Sequence, residues 1–89
     1  MLYNSFNIAG VSKVELCPIQ NNIRKLRFNA DEMTQQELAE SIGVSRQTVM
    51  AIEARKYSPT LELSFKIARE FGMSLEDIFQ YVPLDESQK

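Results

Sequence analysis

The chain has 89 residues, of which 44% are hydrophobic and 25% are charged, so it is long and apolar enough for one domain with a hydrophobic core. One cysteine, Cys17, and no histidine exclude an internal disulfide, a zinc site of cysteine and histidine ligands, and a histidine-based catalytic triad. The formal net charge is −2, but the acidic excess lies in residues 60–89, with three basic and six acidic side chains, whereas residues 20–59 carry six basic and five acidic ones.

The first nineteen residues leave three alternatives open. Apolar residues alternate loosely in residues 3–8 and 11–17, on either side of Ala9 and Gly10. A small hairpin, a disordered arm and non-native residues each agree with this pattern. The start of the chain lacks a basic segment followed by a long apolar run, and no apolar stretch approaches the roughly 20 residues of a membrane helix. We therefore expect no secretory signal and no membrane segment, and a cytoplasmic, reduced protein.

Residues 20–28 are predicted to form the first helix, with Ile23 and Leu26 facing inward and with basic residues on the polar faces. A loop follows over residues 29–33. This loop contains no glycine, so its shape does not follow from the usual turn signals.

Two short helices joined by a glycine turn are predicted next. The first covers residues 34–42, where Thr34 caps the helix and Glu37 closes a capping box. Leu38, Ala39 and Ile42 form its inward stripe. Gly43 ends this helix because glycine adopts the left-handed conformation without steric cost. The second helix begins after the cap residue Ser45 and extends to about Arg55, with Val49 and Ile52 inward.

The rest of the chain predicts two further helices and one strand. After a turn at residues 57–59, a fourth helix covers residues 60–71, with Gly72 as its end. Ser74 and Asp77 form a capping box for a fifth helix. Residues 80–84 alternate polar and apolar side chains, so a short strand there is one option, paired with residues 14–19. Prolines 18 and 83 would confine both strands to edges. The apolar residues expected to pack in this region are Leu61, Phe65, Ile67, Ala68, Leu75, Ile78 and Phe79.

The segment T-Q-Q-E-L-A-E-S-I-G-V-S-R-Q-T-V-x-x-I-E, at residues 34–53, resembles the Cro/C1 (Xre-type) helix-turn-helix family of small bacterial transcriptional regulators. The similarity includes N-x-I-R-K-L-R before this segment and Y-S-P-T-L-E-L-S-F-K-I-A after it. It implies an all-α, five-helix phage-repressor-like domain in residues 20–80, with some members adding a two-stranded ribbon from the chain ends. Residues 1–19 would then be an arm or strand, and residues 81–89 a C-terminal strand or tail.

The start of the third helix is the predicted base-reading surface, because the resemblance places it in the major groove of DNA. Arg46 can donate to guanine O6 and N7, and Gln47 can pair with adenine N6 and N7. A phosphate contact or a surface ion pair is the alternative for Arg46. Thr48, Met50 and Ala51 are secondary candidates, since an apolar side chain can contact a thymine methyl group. Met50 could instead fill a gap in the core.

Residues on both sides of this helix are expected to contact the DNA backbone. Gln35 lies in the first turn of the second helix, where its side chain and N–H can bind a phosphate. The resemblance implies that it also supports the start of the third helix; a solvated polar residue is the alternative. Ser45 caps the third helix and brings its backbone near a phosphate. The family contacts the DNA backbone just after this helix, which implies the same for Arg55, Lys56, Tyr57 and Ser58. Lys56 is the foremost of these, and packing against the fourth helix is the alternative for Tyr57.

Glu53 is unexpected on a DNA-facing helix because a carboxylate repels phosphate. In the resembled family a glutamate at this position pairs with an arginine from the first helix. Arg27 is the matching residue here, so we expect a structural ion pair between Arg27 and Glu53.

These features favour a sequence-specific DNA-binding regulator that acts as a homodimer on a palindromic operator of double-stranded DNA. The resemblance to the family implies the role of a repressor. The alternative is an antitoxin-like or bridging protein-interaction module. We expect no enzymatic activity, cofactor or metal, because there is no glycine-rich phosphate loop and no pair of nucleophile and base. We also expect no small-molecule effector, because the chain leaves no room for a ligand domain.

Overall fold

The computed structural model of the chain describes residues 16–83, which form five short helices and a two-stranded antiparallel ribbon. The longest helix in this part of the chain has 11 residues, and none is long and apolar enough to cross a bilayer. In chain order the elements are β1 Ile19–Asn21, α1 Ile23–Asn29, α2 Gln35–Ile42, α3 Arg46–Glu53, α4 Leu61–Phe71, α5 Leu75–Ile78 and β2 Phe79–Tyr81.

Local capping signals decide where most of these helices begin. The side chains of four residues each accept a hydrogen bond from the backbone N–H three residues later, which satisfies one of the free donors of the first turn. These residues are Thr34, Ser45, Thr60 and Ser74. The predicted capping box of Thr34 and Glu37 is confirmed. At Ser74 only half of the predicted box is present among the described residues, since the Ser74 N–H makes no return bond to the Asp77 carboxylate.

Glycine ends two helices as predicted. Gly43 follows α2 with a φ of 76°, and Gly72 follows α4 with a φ of 65°. Both values lie in the left-handed region, which other residues occupy only with strain. The turn at Gly43 therefore sets the angle between α2 and α3.

The core lies where α2, α3 and α4 meet, with α1 and α5 closing it. Leu38 and Ala39 of α2 have no exposed surface, and the absence of a large side chain at Ala39 allows the helices to pack closely. Most of the predicted inward residues are buried, and Leu26, Leu75 and Phe79 are partly buried against them. The buried apolar residues are Ile23, Leu38, Ala39, Ile42, Val49, Ile52, Leu63, Ile67, Ala68 and Ile78.

The inward face of α4 differs from the prediction. Leu61 and Phe65, which were expected to pack, are 68% and 51% exposed, whereas Leu63 and Ser64 are buried. Apolar residues occupy positions 61, 63, 65 and 67, so they alternate instead of following a helical repeat. Both faces of α4 are therefore apolar enough to pack. Contact with α2 and α5 determines which of the two faces is buried.

The ribbon is present, but its strands are shifted from the predicted residues. Ile19 pairs with Tyr81, Gln20 with Gln80, and Asn21 with Phe79. The prediction that the first helix begins at residue 20 is therefore wrong. The prolines lie just outside the paired residues, and the Pro18 carbonyl accepts a bond of 2.7 Å from the Val82 N–H. Residues 14, 15 and 84 of the predicted strands, and most of the predicted hairpin of residues 3–17, lie outside the described residues.

Two turns use residues other than glycine in the left-handed region. Asp31 and Glu32, between α1 and α2, have φ values of 63° and 58°. Arg55 has a φ of 61°, and α3 ends at Glu53, two residues before the predicted end. Beyond Glu53 the N–H of Lys56 bonds Ala51 O at 2.9 Å and the N–H of Arg55 bonds Ile52 O at 3.0 Å. These two bonds form a Schellman motif, which places Arg55 at the position where glycine is favoured.

Candidate nucleic-acid interface

The first residues of α3 project from the described part of the chain. Ser45, Arg46 and Gln47 are exposed, while Val49 and Ile52 on the opposite face are 1% exposed. The buried face anchors the helix, so the exposed face has a fixed direction. An arginine guanidinium and a glutamine amide here offer the donors and acceptors that match the edges of guanine and adenine.

Ser45 holds the start of the helix in place. Its Oγ accepts a hydrogen bond from the Thr48 N–H at 3.2 Å and lies 3.1 Å from the Thr48 hydroxyl. The Thr48 side chain is half-buried and already has a partner, whereas Arg46 and Gln47 make no side-chain hydrogen bond among the described residues. The side chains of the two foremost candidates are thus available to an incoming ligand.

Met50 and Ala51 lie in the second turn of α3. The Met50 side chain is 42% exposed, so it does not fill a gap in the core. Ala51 is half-buried. Met50 adds an accessible apolar group next to the two polar candidates.

A hydrogen-bonded ion pair joins α1, α2 and α3. Arg27 donates from Nε to Glu53 Oε2 at 2.7 Å, and from Nη2 to Glu53 Oε1 at 3.1 Å. Nη1 of the same guanidinium donates to the Met33 carbonyl at 2.8 Å, and Gln35 Nε2 donates to Glu53 Oε1 at 3.1 Å. We call Arg27, Gln35 and Glu53 the Glu53 cluster. Its two charged side chains are only 13% and 10% exposed, so the Glu53 carboxylate is neutralised inside the molecule instead of facing solvent.

The position of Gln35 corrects one expectation. Its side chain contacts Glu53 at the last residue of α3, not the start of that helix. One Nε2 hydrogen is used in this bond. The backbone N–H of Gln35 is at the first position of α2, where helices leave their N–H groups without an intrahelical partner.

The four residues beyond α3 that are expected to contact the DNA backbone, residues 55–58, differ in their surroundings. Lys56, Tyr57 and Ser58 are exposed, and the Tyr57 side chain retains 40% of its accessible surface. Arg55 is half-buried, and its guanidinium donates from Nε and Nη2 to the Cys17 carbonyl at 3.2 and 3.0 Å. The structure therefore gives Arg55 a contact within the chain that the sequence did not predict.

One contact to α3 and one to the turn after it come from residues that no motif indicates. Asn21 Nδ2 donates to Ile52 O at 2.9 Å, and the Cys17 N–H donates to Arg55 O at 2.8 Å. Asn21 Oδ1 also accepts from the Ile23 N–H at 3.1 Å, so this side chain joins β1, α1 and α3. The neighbouring Asn22 points elsewhere and donates to the Asp77 carbonyl at 3.1 Å.

Comparison with known proteins gives a consistent result. The helix-turn-helix family model matches residues 23–78. An uncharacterized HTH-type transcriptional regulator of Methanocaldococcus jannaschii is 59% identical over 49 residues, which cover 55% of this chain and 74% of that protein. The HTH-type transcriptional regulator YgzD of Bacillus subtilis is 43% identical over 61 residues, covering 68% and 91%. The cryptic phage CTXphi transcriptional repressor RstR of Vibrio cholerae is 36% identical over 58 residues, covering 65% and 51%.

A solved structure shows the same fold. The crystal structure of an inferred DNA-binding protein from Bacteroides fragilis superposes with a TM-score of 0.60 and covers 70% of this chain and 98% of that one. The two sequences are 22% identical, so this likeness concerns the fold alone.

Proposed function

Because the chain belongs to the Cro/C1 (Xre-type) helix-turn-helix family of transcriptional regulators, we propose that it binds double-stranded DNA in a sequence-specific manner. The observation that carries this proposal is the exposed start of α3, where Arg46 and Gln47 extend from a helix whose opposite face is buried. A helix presented in this way fits the major groove, which is wide enough to admit an α-helix. The DNA-binding domain of this proposal comprises residues 20–80, flanked by an arm or strand in residues 1–19 and a strand or tail in residues 81–89.

Arg46 and Gln47 are the proposed base-reading residues. Each has an exposed planar group with two hydrogen-bonding atoms, which suits bidentate pairing with one base edge. Thr48, Met50 and Ala51 contribute secondary contacts. The 42% exposure of Met50 supports apolar contact with a thymine methyl group.

The DNA backbone is the proposed partner of residues on both sides of this surface. Gln35 and Ser45 provide N–H groups at the starts of α2 and α3, where helix dipoles favour a phosphate. Lys56, Tyr57 and Ser58 are exposed just beyond α3 and supply one positive charge and two hydroxyl groups. With so few basic residues, we expect modest affinity for DNA of random sequence.

A homodimer on a palindromic operator is the second part of the proposal. One eight-residue recognition helix reads too few bases for useful specificity, and two copies about one helical turn (~34 Å) apart double the sequence that is read. The similarity to RstR, a phage transcriptional repressor, supports repression as the outcome. Control by a small-molecule effector is not part of the proposal.

An antitoxin-like or bridging protein-interaction module is the second candidate. The exposed apolar side chains of Leu61 and Phe65 on α4 favour it, because exposed apolar patches mark protein contacts. The same side chains also suit the subunit contact of a homodimer, so they do not by themselves separate the two candidates.

Selection of duplexes from a random pool separates the candidates. The proposal predicts enrichment of one palindromic sequence, with half-sites about 10 base pairs apart, and a complex of two chains per duplex in light scattering. A pool without enrichment, combined with stoichiometric capture of another protein, would support the interaction module instead.

A further inference from the structure

The end of α3 is held by residues that precede the family match. Asn21 bonds the Ile52 carbonyl at 2.9 Å, and the Cys17 N–H bonds the Arg55 carbonyl at 2.8 Å. The Arg55 guanidinium returns two bonds to the Cys17 carbonyl. Because the family model begins at Ile23, both Cys17 and Asn21 lie before the matched region. We call Cys17, Asn21 and Arg55 the α3 brace.

The conformation of Arg55 places a side chain where glycine is favoured, within the α3 brace. Arg55 occupies the left-handed position of a Schellman motif, with a φ of 61°, where a side chain is disfavoured and glycine is preferred. Its backbone carbonyl and its guanidinium are both bonded to Cys17, and these bonds offset the disfavoured conformation. The chain thus ends its recognition helix with a residue whose main partner lies in the N-terminal segment.

We infer that the α3 brace sets the direction of the recognition helix, so that Asn21 and Arg55 are positioning residues for base reading by Arg46 and Gln47. This inference rests on the proposed function. An eight-residue helix is about 12 Å long, so a tilt of about 5° at its end moves its start by about 1 Å. The donor–acceptor distance of a hydrogen bond to a base edge varies by only about 0.5 Å, so such a tilt breaks the bond. Phosphate contacts across random DNA are less sensitive, because they depend mainly on charge.

Two adjacent asparagines provide a matched test. Asn21→Ala removes the bond to Ile52 O, together with the bond that Asn21 Oδ1 accepts from the Ile23 N–H. Asn22→Ala removes a bond of similar length to Asp77 O, away from α3. The probes are the duplex selected from a random pool by the unmodified chain and a scrambled duplex of the same composition, at one salt concentration. The readout is the ratio of the two affinities, at a temperature where each variant is fully folded.

We expect Asn21→Ala to lower this ratio by about two- to tenfold, which corresponds to the net contribution of the one hydrogen bond that orients the helix. The affinity for the scrambled duplex should not change. Asn22→Ala leaves the ratio unchanged, although it lowers the melting temperature. An Asn21→Ala variant that melts earlier but keeps the full ratio would overturn the inference. If the proposed function itself were wrong, the unmodified chain would bind both duplexes with the same affinity.

Arg55→Gly provides a second variant that should remain folded, because glycine is the favoured residue at this position. The inference predicts a lower ratio here as well, because the two guanidinium bonds to the Cys17 carbonyl are lost while the backbone bond from the Cys17 N–H remains. Equal loss of affinity for both duplexes would identify Arg55 as a phosphate contact and would contradict its assignment to the brace.

Discussion

Replacing Glu53 by alanine tests whether the Glu53 cluster holds the three N-terminal helices together. The carboxylate accepts two hydrogen bonds from Arg27, at 2.7 and 3.1 Å, and one from Gln35 at 3.1 Å. Its removal leaves the Arg27 guanidinium, 13% exposed, with only the Met33 carbonyl as a described partner. Breaking a buried ion pair by removing one partner costs about 3–5 kcal/mol. Because both side chains keep some contact with water, we expect about 3 kcal/mol for Glu53→Ala.

The chain supplies a matched control for this measurement. Glu62 pairs with Lys66 on the surface of α4 at 3.7 Å, and these side chains are 82% and 51% exposed. Glu62→Ala removes a glutamate from an ion pair as well, but water screens this pair, so we expect a loss below about 1 kcal/mol, including the effect of the helix dipole. Urea unfolding followed by circular dichroism at 222 nm gives both free energies of unfolding.

A double variant distinguishes the cost of leaving the Arg27 charge unpaired from the loss of its attraction to Glu53. In Arg27→Met with Glu53→Leu neither charge remains, so we expect this protein to recover at least half of the stability that Glu53→Ala loses. If Glu53→Ala destabilised the protein no more than Glu62→Ala, burial of the Glu53 cluster would not raise the cost of breaking its ion pair.

Three further predictions concern the interface and the loop before α2. Gln47→Ala should weaken binding of the selected operator at least about fivefold and leave binding of random DNA unchanged in fluorescence anisotropy; equal losses would remove it as a base reader. Lys56→Ala should weaken binding of every duplex and reduce the slope of log affinity against log salt by about 1, and an unchanged slope would count against a phosphate contact. Glu32→Gly should raise the free energy of unfolding by up to about 1 kcal/mol, because the φ of 58° suits glycine; thermal melting that showed a loss would contradict this.

Local signals were sufficient to predict most of the helices. Thr34 and Glu37 specify a capping box within four residues, and Gly43 and Gly72 specify where α2 and α4 end. These effects depend on side chains and backbone groups that are neighbours in the sequence. The direction of the exposed face of α3 followed from the spacing of Val49 and Ile52.

Non-local contacts account for the errors. The sequence predicts Gln20 in the first helix, but it lies in a strand because Gln80, sixty positions later, pairs with it. The contact of Arg55 with Cys17 spans 38 residues, and nothing in either local sequence predicts it. In α4 the alternating apolar residues leave the buried face undetermined until α2 and α5 are in place. The base-reading and phosphate-contacting residues remain predictions, because they concern a partner outside the chain.

Mapping amide chemical shifts by NMR during titration with the selected duplex reveals which residues of the chain contact DNA. We predict the largest changes at residues 46–51 of α3, with smaller changes at the start of α2 and at residues 56–58. Changes concentrated around Leu61 and Phe65 of α4, with the start of α3 unaffected, would contradict it.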